Sequence, residues 1–387
     1  MRIVLICFDS LSDWIFTRFI EENPTSFIAR MVKNGLRFKN NYTGCTFSHP
    51  SYPSILFGVY PHEHGILAAS GYKLNASSRL TSIHHELCLR GWKCTSVSDI
   101  AWLFSGTYGY NLSPVSGALD YDTSKPDRDK TFIFLNYWGC HYPHVLKWSP
   151  WPPMEGWTEM YNLIEKKDTQ GVERLREEWV CRIINNLKFY SKRIEKFDKP
   201  DTIIILCSDH GDDFGLHDSV LHTDSLPWDS VAKVPFVVYP DPGCERGDFL
   251  TSNVDIKRTI LDIAEHGEIK IPEHEHVILT GGLHKQTKNA IRSCGFIDRD
   301  GCKYIRTGDG EEYFFPVGLD NKERQSIFNM TPEASGNFYS LYVHEIRELK
   351  RNYPFLFHGK RYEEHLKQAE ADNDRFIEEQ LKGLGYL

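Results

Sequence analysis

Three short segments of the sequence contain residue types that could bind a metal ion and carry out nucleophilic chemistry. Asp9 follows one apolar run, the pair Asp209-His210 follows another, and Ser48 begins a stretch with two prolines. Carboxylate oxygens and an imidazole nitrogen suit Zn²⁺ or Mn²⁺, and a serine hydroxyl beside such an ion can act as a nucleophile. Each feature also has an ordinary structural explanation, such as a strand end or a helix cap. The hypothesis of a site therefore depends on the fold bringing the three segments together.

The segment around Ser48 predicts a turn that leads into a short helix. Pro50 and Pro53 fit the start of such a helix, where proline is favoured in the first turn. A hydroxyl at this position faces free amide groups and the positive end of the helix dipole, which stabilise an alkoxide or a bound oxyanion. Ser48 is thus predicted to be either a capping residue or a metal-activated nucleophile.

The surrounding sequence predicts strands and helices in alternation. Continuous runs rich in β-branched residues indicate buried parallel strands at Arg2–Phe8, Thr131–Asn136, Thr202–Ser208 and Val234–Tyr239. Apolar residues spaced three and four apart indicate helices at Trp14–Asn34, Ser78–Arg90, Val172–Lys196 and Val254–Glu265. This alternation predicts an α/β fold with a doubly wound, mostly parallel sheet. Ligand sites in such sheets lie beyond the carboxyl ends of the strands, where Asp9, His141 and Asp209 fall.

The C-terminal part shows no further long alternation of strand and helix patterns, and it predicts a small α+β subdomain. We expect residues 1–280 to form the catalytic domain and residues 281–387 to pack on it. Short β-like pieces occur at Lys303–Arg306 and Tyr313–Phe315, and the charged stretch Arg361–Lys382 predicts a helix.

Composition argues against several classes of partner. The net charge is −8 and the sequence contains no basic block, so we do not expect nucleic acid to bind. No apolar run approaches the ~20 residues of a membrane span, so we expect no membrane association and a cytoplasmic location. The ten cysteines form no CxxC pair, which argues against a zinc knuckle or a disulfide framework. The sequence does not indicate an oligomeric state.

In their order and spacing, these motifs resemble the alkaline-phosphatase/sulfatase superfamily. The segment that starts at Ser48 is similar to the nucleophile segment, which reads Cys/Ser-x-Pro-x-Arg and later Gly-x-Tyr-Pro-x-x-His-Gly. The other matching motifs are Asp9-Ser10-Leu11, Ser208-Asp209-His210-Gly211, Gly215-Leu216-His217, Lys233-Val234-Pro235 and Lys303-Tyr304-Ile305. The resemblance implies an ester hydrolase that acts on phosphate-type or sulfate-type esters of small molecules.

The resemblance also implies roles for individual residues. It assigns Asp9, Asp209 and His210 as metal ligands, with Ser48 as nucleophile and fourth ligand. The implied ion is Mn²⁺ or Zn²⁺, with Ca²⁺ and Mg²⁺ as alternatives, and one ion is favoured over two.

Three histidines become candidates for substrate binding through the same resemblance. His141 and His222 would contact the transferred group, and both are therefore also candidate catalytic residues. His217 is a further substrate-binding candidate, with a structural role as its alternative.

Departures from the sulfatase pattern favour a phosphate-type substrate. Ser10 stands where sulfatases have a second aspartate, and Tyr52 stands where the formylglycine-forming signature has arginine. Ser98–Ala101 replaces a Gly-Lys-x-His motif. An unmodified Ser48 then predicts hydrolysis of a phosphomonoester, phosphodiester or phosphonate ester. Sulfuric ester hydrolysis is the alternative, followed by phosphoryl-group transfer and by binding without catalysis.

Overall fold

The structure is a computed structural model, and it describes about seven tenths of the chain. The described residues are 1–68, 80–104, 115–116, 118, 121, 130–146, 155–217, 219–222, 225–243, 247–270, 274–282, 291–316, 323 and 342–357. The strands are β1 Arg2–Phe8, β2 Leu36–Arg37, β3 Asn40–Tyr42, β4 Lys93–Ser98, β5 Val115–Ser116, β6 Thr131–Tyr137, β7 Thr202–Ser208, β8 Phe236–Tyr239, β9 Leu250–Ser252, β10 His276–Gly281, β11 Ser293–Asp298, β12 Lys303–Thr307 and β13 Glu312–Phe315. The helices are α1 Asp13–Glu22, α2 Phe27–Asn34, α3 Ser48–Phe57, α4 Pro61–His64, α5 Ile83–Leu89, α6 Glu155–Glu165, α7 Thr169–Ile194, α8 Asp229–Ala232, α9 Asp255–His266 and α10 Val343–Asn352.

The central sheet has seven strands in the order β2-β8-β7-β1-β6-β4-β5. β1 lies between β6 and β7 and is parallel to both, and its last residue, Phe8, is level with Tyr137 of β6 and Ser208 of β7. The residues that follow these strands therefore leave the sheet at one edge. This register makes Asp9 and Asp209 neighbours in space.

Apolar residues cover both faces of this sheet. One core cluster joins the sheet to α1, α2, α6 and α7, and the other joins its opposite face to α3, α5 and α9. β1 is buried on both faces, which explains why its sequence is a continuous apolar run and not an alternating one. The predicted doubly wound, mostly parallel α/β fold is confirmed.

Two details of the predicted elements are wrong. The segment Val234–Tyr239 was expected to form a parallel strand, but β8 pairs with β7 in the antiparallel direction. The connection returns to the same edge of the sheet, and its described residues contain the four-residue α8 but no helix long enough to carry the chain back across the sheet. The single helix expected at Trp14–Asn34 is divided into α1 and α2, because Pro24 interrupts it.

The C-terminal subdomain contains an antiparallel sheet in the order β10-β11-β12-β13. Its first strand begins at His276, before the boundary expected at residue 281, and the boundary itself stays a prediction. The expected helix at Arg361–Lys382 and the beginning of the helix expected at Ser78–Arg90 lie outside the described residues. Among the described helices, none combines the length and apolar character needed to cross a membrane.

A buried lysine joins this subdomain to the central domain. Lys303 of β12 places its Nζ 2.5 Å from Asp229 Oδ1 of α8 and 2.5 Å from Glu323 Oε1. It also donates a hydrogen bond to the Pro227 carbonyl at 3.1 Å. The lysine side chain is 2% exposed and the Glu323 side chain is 7% exposed, so water does not replace this pair easily.

We expect Lys303→Met to lower the free energy of unfolding by about 3 kcal/mol, because the change leaves Glu323 buried without its cation. Urea denaturation followed by circular dichroism measures the difference. Lys350→Met on the exposed side of α10 is the control, with an expected change within about 0.5 kcal/mol. Equal stability of Lys303→Met and the wild type would contradict a stabilising role for this buried lysine.

Candidate active site

The three chemically suggestive segments meet at the carboxyl edge of the central sheet. Ser48, the first residue of α3, places its Oγ 3.0 Å from His210 Nε2. His210 Nε2 also lies 3.3 Å from Asp209 Oδ2. Asp9, Asp209 and His210 are buried, and each offers one ligand atom within 4.8 Å of the others. The structure thus brings together all four residues predicted to hold a metal ion.

Asp209 has one oxygen engaged by the backbone and one left over. Its Oδ1 accepts hydrogen bonds from the backbone N–H groups of Ser10 at 3.0 Å and His210 at 2.9 Å. Its Oδ2 is buried and accepts no hydrogen bond from the described residues. Burial raises the pKa of this carboxyl to about 7. A buried carboxylate oxygen without a donor is a suitable ligand for a cation.

Asp9 is held beside Asp209 at a cost in electrostatic energy. Burial, followed by the neighbouring Asp209 carboxylate, raises the pKa of Asp9 well above its usual range. Ser10 has a φ of 63°, and this left-handed conformation turns the chain sharply after β1. A divalent ion would remove the repulsion between the two carboxylates. The donor set and its charge therefore fit such an ion.

His210 has the tautomer that a metal ligand needs. Its Nδ1 lies 3.0 Å from the Gly211 carbonyl oxygen, to which it donates, so its Nε2 presents a lone pair towards Ser48 and Asp209. Burial lowers the pKa of this imidazole well below its usual range and keeps it neutral. A neutral imidazole with its second nitrogen bonded to a carbonyl is the usual form of a histidine ligand.

Helix α3 presents three side chains on one face to this edge of the sheet. Ser48, Ser51 and Tyr52 occupy positions i, i+3 and i+4 of the helix, which lie on the same side. Ser51 Oγ donates to the Asp209 carbonyl at 2.6 Å, and Tyr52 Oη donates to Asp9 Oδ2 at 2.8 Å. The residue that caps the start of the helix is Phe47, and Ser48 is the first residue within the helix. The hydroxyl of Ser48 contacts His210.

The two histidines predicted to contact the transferred group, His141 and His222, lie near His210. The rings of His222 and His210 are 4.1 Å apart, and those of His222 and His141 are 5.2 Å apart. His141 stacks on Trp138 at 3.9 Å and its Nδ1 lies 2.7 Å from the Tyr142 carbonyl. Burial lowers the pKa of His141 to about 4. His210, His222 and His141 thus follow one another in a row of neighbouring rings, and the contacts of His141 and His222 with a substrate stay predictions.

His217 lies apart from this group. Its Nδ1 is 2.7 Å from Asp213 Oδ1, and its ring stacks on Trp228 at 4.8 Å. It lines a neighbouring cavity of about 510 Å³, whose lining does not include Ser48 or His210. Its assignment to substrate binding stays a prediction, beside the structural alternative.

Sequence reasoning missed two polar residues that support the site. Asp212 Oδ1 is 2.7 Å from His222 Nδ1, and both side chains are buried. Asn136 Nδ2 is 2.5 Å from the hydroxyl of Tyr52, which itself contacts Asp9. The sequence offered one signal for each residue. Asp212 belongs to the acidic pair after Asp-His-Gly, and Asn136 is a polar amide near the carboxyl end of a buried strand.

The chain is similar to known sulfatases and related ester hydrolases. A sulfatase family model matches residues 2–87. No curated protein matches the sequence. A solved 2-O GAG sulfatase is similar in structure, with 17% identity, a TM-score of 0.65 and coverage of 91% of this chain and 92% of that chain.

Two solved phosphonate monoester hydrolases are also similar. The protein from Silicibacter pomeroyi has 14% identity and a TM-score of 0.63, with 91% of this chain and 95% of that chain covered. The protein from Agrobacterium radiobacter has 13% identity and a TM-score of 0.65, with 90% and 95% covered. The resemblance predicted from the motifs is thereby confirmed: residues 2–87 match the sulfatase family, and the chain has the fold of the alkaline-phosphatase/sulfatase superfamily.

Proposed function

We propose that this protein is a metal-dependent hydrolase of phosphate-type esters of small molecules, with Ser48 as its nucleophile. The family match and both kinds of structural neighbour support hydrolysis of a sulfate-type or phosphate-type ester. One observation carries the finer proposal. Ser48 Oγ lies 3.0 Å from His210 Nε2, next to the buried Asp209 Oδ2 that accepts no hydrogen bond from the described residues.

Asp9, Asp209, His210 and Ser48 would hold the ion. When bound, a divalent ion supplies positive charge that lowers the pKa of a nearby hydroxyl and offsets charge on a transferred group. Ser48 is then the group that attacks phosphorus, from a position fixed by the start of α3. The positive end of the α3 dipole lies at this residue and would stabilise negative charge there. Mn²⁺ and Zn²⁺ suit the mixed oxygen and nitrogen donors best.

In the proposed reaction, His222 would give a proton to the leaving oxygen. Asp212 accepts a hydrogen bond from its Nδ1, and this bond fixes the ring and stabilises a proton on the other nitrogen. His141 lies beside the ring of His222, and since its Nδ1 donates to the Tyr142 carbonyl, it would hold an oxygen of the transferred group only with a second proton on its Nε2. The two histidines thus have separate roles in the proposed reaction.

The charge around Ser48 favours a singly charged substrate. Within the described part of the chain, no lysine or arginine forms a hydrogen bond or ion pair with Ser48, Asp9, Asp209 or His210. The charge of the two carboxylates already balances that of one divalent ion. A phosphodiester or a phosphonate monoester carries one negative charge and fits this balance better than a phosphomonoester dianion.

Sulfuric ester hydrolysis is the second candidate, favoured by the match of residues 2–87 to the sulfatase family. It would require oxidation of Ser48 to formylglycine, although Tyr52 replaces the arginine of that signature. Mass spectrometry of the peptide containing Ser48 separates the two candidates, because formylglycine has two hydrogens fewer than serine. Transfer of the phosphoryl-linked group to an acceptor other than water is a third candidate. Product analysis distinguishes it.

Ser48→Ala is expected to lower kcat by about 10³-fold or more, because the nucleophile is removed. The assay compares p-nitrophenyl phosphate, its diester, a phosphonate monoester and p-nitrophenyl sulfate in the presence of Mn²⁺ or Zn²⁺. Ser54→Ala is the matched control, since Ser54 lies on the same helix and bonds to the Pro50 carbonyl. Retention of full activity by Ser48→Ala on each cleaved substrate would disprove the nucleophile assignment.

Removal of metal with EDTA is expected to abolish hydrolysis and to lower the melting temperature. Adding Mn²⁺ or Zn²⁺ back at about 100 times its Kd should stabilise the fold by about 2.7 kcal/mol, since only the folded chain forms the site. Thermal melts with and without metal measure this shift, and Asp209→Asn should abolish it. Full activity in protein verified to be metal-free by elemental analysis would refute the proposed role of the ion.

Asp212→Asn is expected to slow hydrolysis of esters with poor leaving groups by about 10²-fold, because His222 loses the carboxylate that stabilises its proton. Esters of p-nitrophenol should be affected less, since this leaving group departs without protonation. The measurement is kcat for a series of aryl and alkyl phosphodiesters. An equal loss across the whole series would argue against proton donation by His222.

A further inference from the structure

We propose that Ser98, Asn136 and Tyr52 form a directed chain of hydrogen bonds that positions Asp9 as a metal ligand. This inference rests on the metal site of the proposed function and adds three positioning residues to it. None of the three would touch the substrate. Their effect would act through the orientation of one carboxylate.

The chain begins at a backbone group that can only donate. The N–H of Ile100 donates to Ser98 Oγ at 3.0 Å. Since Ser98 Oγ accepts this bond, its own proton is available for Asn136 Oδ1, which lies 2.7 Å away. The amide orientation of Asn136 is thereby fixed, with its oxygen towards Ser98 and its NH₂ group on the other side.

In the remaining two hydrogen bonds, each group again donates to the next one, and the last acceptor is the metal ligand Asp9. Asn136 Nδ2 donates to Tyr52 Oη at 2.5 Å. The single proton of Tyr52 is then directed to Asp9 Oδ2 at 2.8 Å. Asp9 Oδ2 therefore receives a donor whose orientation is determined by every earlier member of the chain. Asp9 Oδ1 accepts only a long bond of 3.5 Å from the Ser10 hydroxyl, so it is the oxygen better able to bind a cation.

The surroundings make this chain effective. The side chains of Ser98, Asn136, Tyr52 and Asp9 are all fully buried, so water does not compete for their bonds. Hydrogen bonds strengthen in such an environment of low dielectric constant. The ring of Tyr52 is also held by an edge contact with Phe104 at 4.8 Å. The position of the carboxylate is thus fixed by packing as well as by bonding.

Tyr52 also connects the ligand with the nucleophile. It lies four residues after Ser48 on α3, on the same face of the helix. A shift of the helix would therefore move Ser48 and release Asp9 together. Because the tyrosine hydroxyl is neutral, it orients the carboxylate and leaves its negative charge available for the ion.

The test is the affinity of metal-free protein for Mn²⁺ and Zn²⁺, measured by isothermal titration calorimetry. We expect Tyr52→Phe to raise Kd by about 10-fold to 100-fold, which is the usual effect of losing a bond to a metal ligand. Asn136→Ala should have a similar effect. The double variant should bind about as well as Tyr52→Phe alone, because both changes remove the same bond to Asp9.

The matched control is Tyr304→Phe. Tyr304 is also fully buried and its hydroxyl also donates to a carboxylate, Glu312 Oε1 at 2.5 Å, but it lies in the C-terminal sheet. This variant should bind metal with the Kd of the wild type. Circular dichroism of each metal-free variant checks that the fold is kept, and Ser98→Ala, a smaller change, replaces Tyr52→Phe if that variant does not fold.

The outcomes separate this inference from the proposed function. If the wild type binds metal and the Tyr52→Phe protein binds it with unchanged Kd, the positioning role is overturned and the metal site stands. If the wild type binds neither ion, the proposed function fails, and the positioning role fails with it. A rise in Kd for Tyr52→Phe and for Asn136→Ala, with no rise for Tyr304→Phe, supports the chain.

Discussion

Two carboxylates buried side by side impose the main physical constraint on this protein. Asp9 and Asp209 follow adjacent parallel strands. The register of β1 and β7 makes the two residues level with each other at the edge of the sheet. Burial of two like charges is unfavourable unless a cation lies between them or one carboxylate takes up a proton. Backbone N–H groups bond to Asp209 Oδ1 and leave its Oδ2 without a hydrogen bond from the described residues. Asp9 accepts a bond of 2.8 Å from Tyr52 at Oδ2 and a longer one of 3.5 Å from Ser10 at Oδ1.

Several elements share the work of holding this arrangement. The backbone of Ser10 bonds to Asp209, and the left-handed turn at Ser10 makes that bond geometrically accessible. Two residues of helix α3 also take part. Ser51 donates a hydrogen bond to the backbone carbonyl of Asp209, and Tyr52 donates one to the side chain of Asp9. The nucleophile candidate thus sits on an element that is bonded to both acidic residues. Movement of this helix alone would disturb the whole site.

Much of the fold could be predicted from the sequence, because buried parallel strands leave a continuous apolar signal. The predicted bounds of the first and third strands, Arg2–Phe8 and Thr202–Ser208, agree with β1 and β7. The direction of β8 could not be predicted in this way, since an apolar run does not encode the orientation of its neighbour. Pro24 indicates the division between α1 and α2, but the apolar spacing continues on both sides of it and predicts one helix.

The candidate site was predictable only where motifs carry it. Asp9, Ser48, Asp209 and His210 lie in short segments with recognisable spacing, and the structure brings them together. The bond between Tyr52 and Asp9 joins positions 43 residues apart, and the support from Asn136 comes from a third segment. Such contacts depend on how helices and strands pack, and no local pattern records them. The motif that contains His217 does not show its contact with Asp213, and its role in substrate binding stays a prediction.

The return of β8 along the same edge has an evolutionary consequence. Because β8 runs antiparallel beside β7, the connection between the two strands leaves the sheet and returns to it at the same edge. That connection contains Asp209, His210, Asp212 and His222. Most of the reactive groups therefore belong to a single contiguous cassette with both ends anchored in the sheet. Insertions, deletions or recombination within this cassette could diversify substrate preference while the strands beneath it stay unchanged.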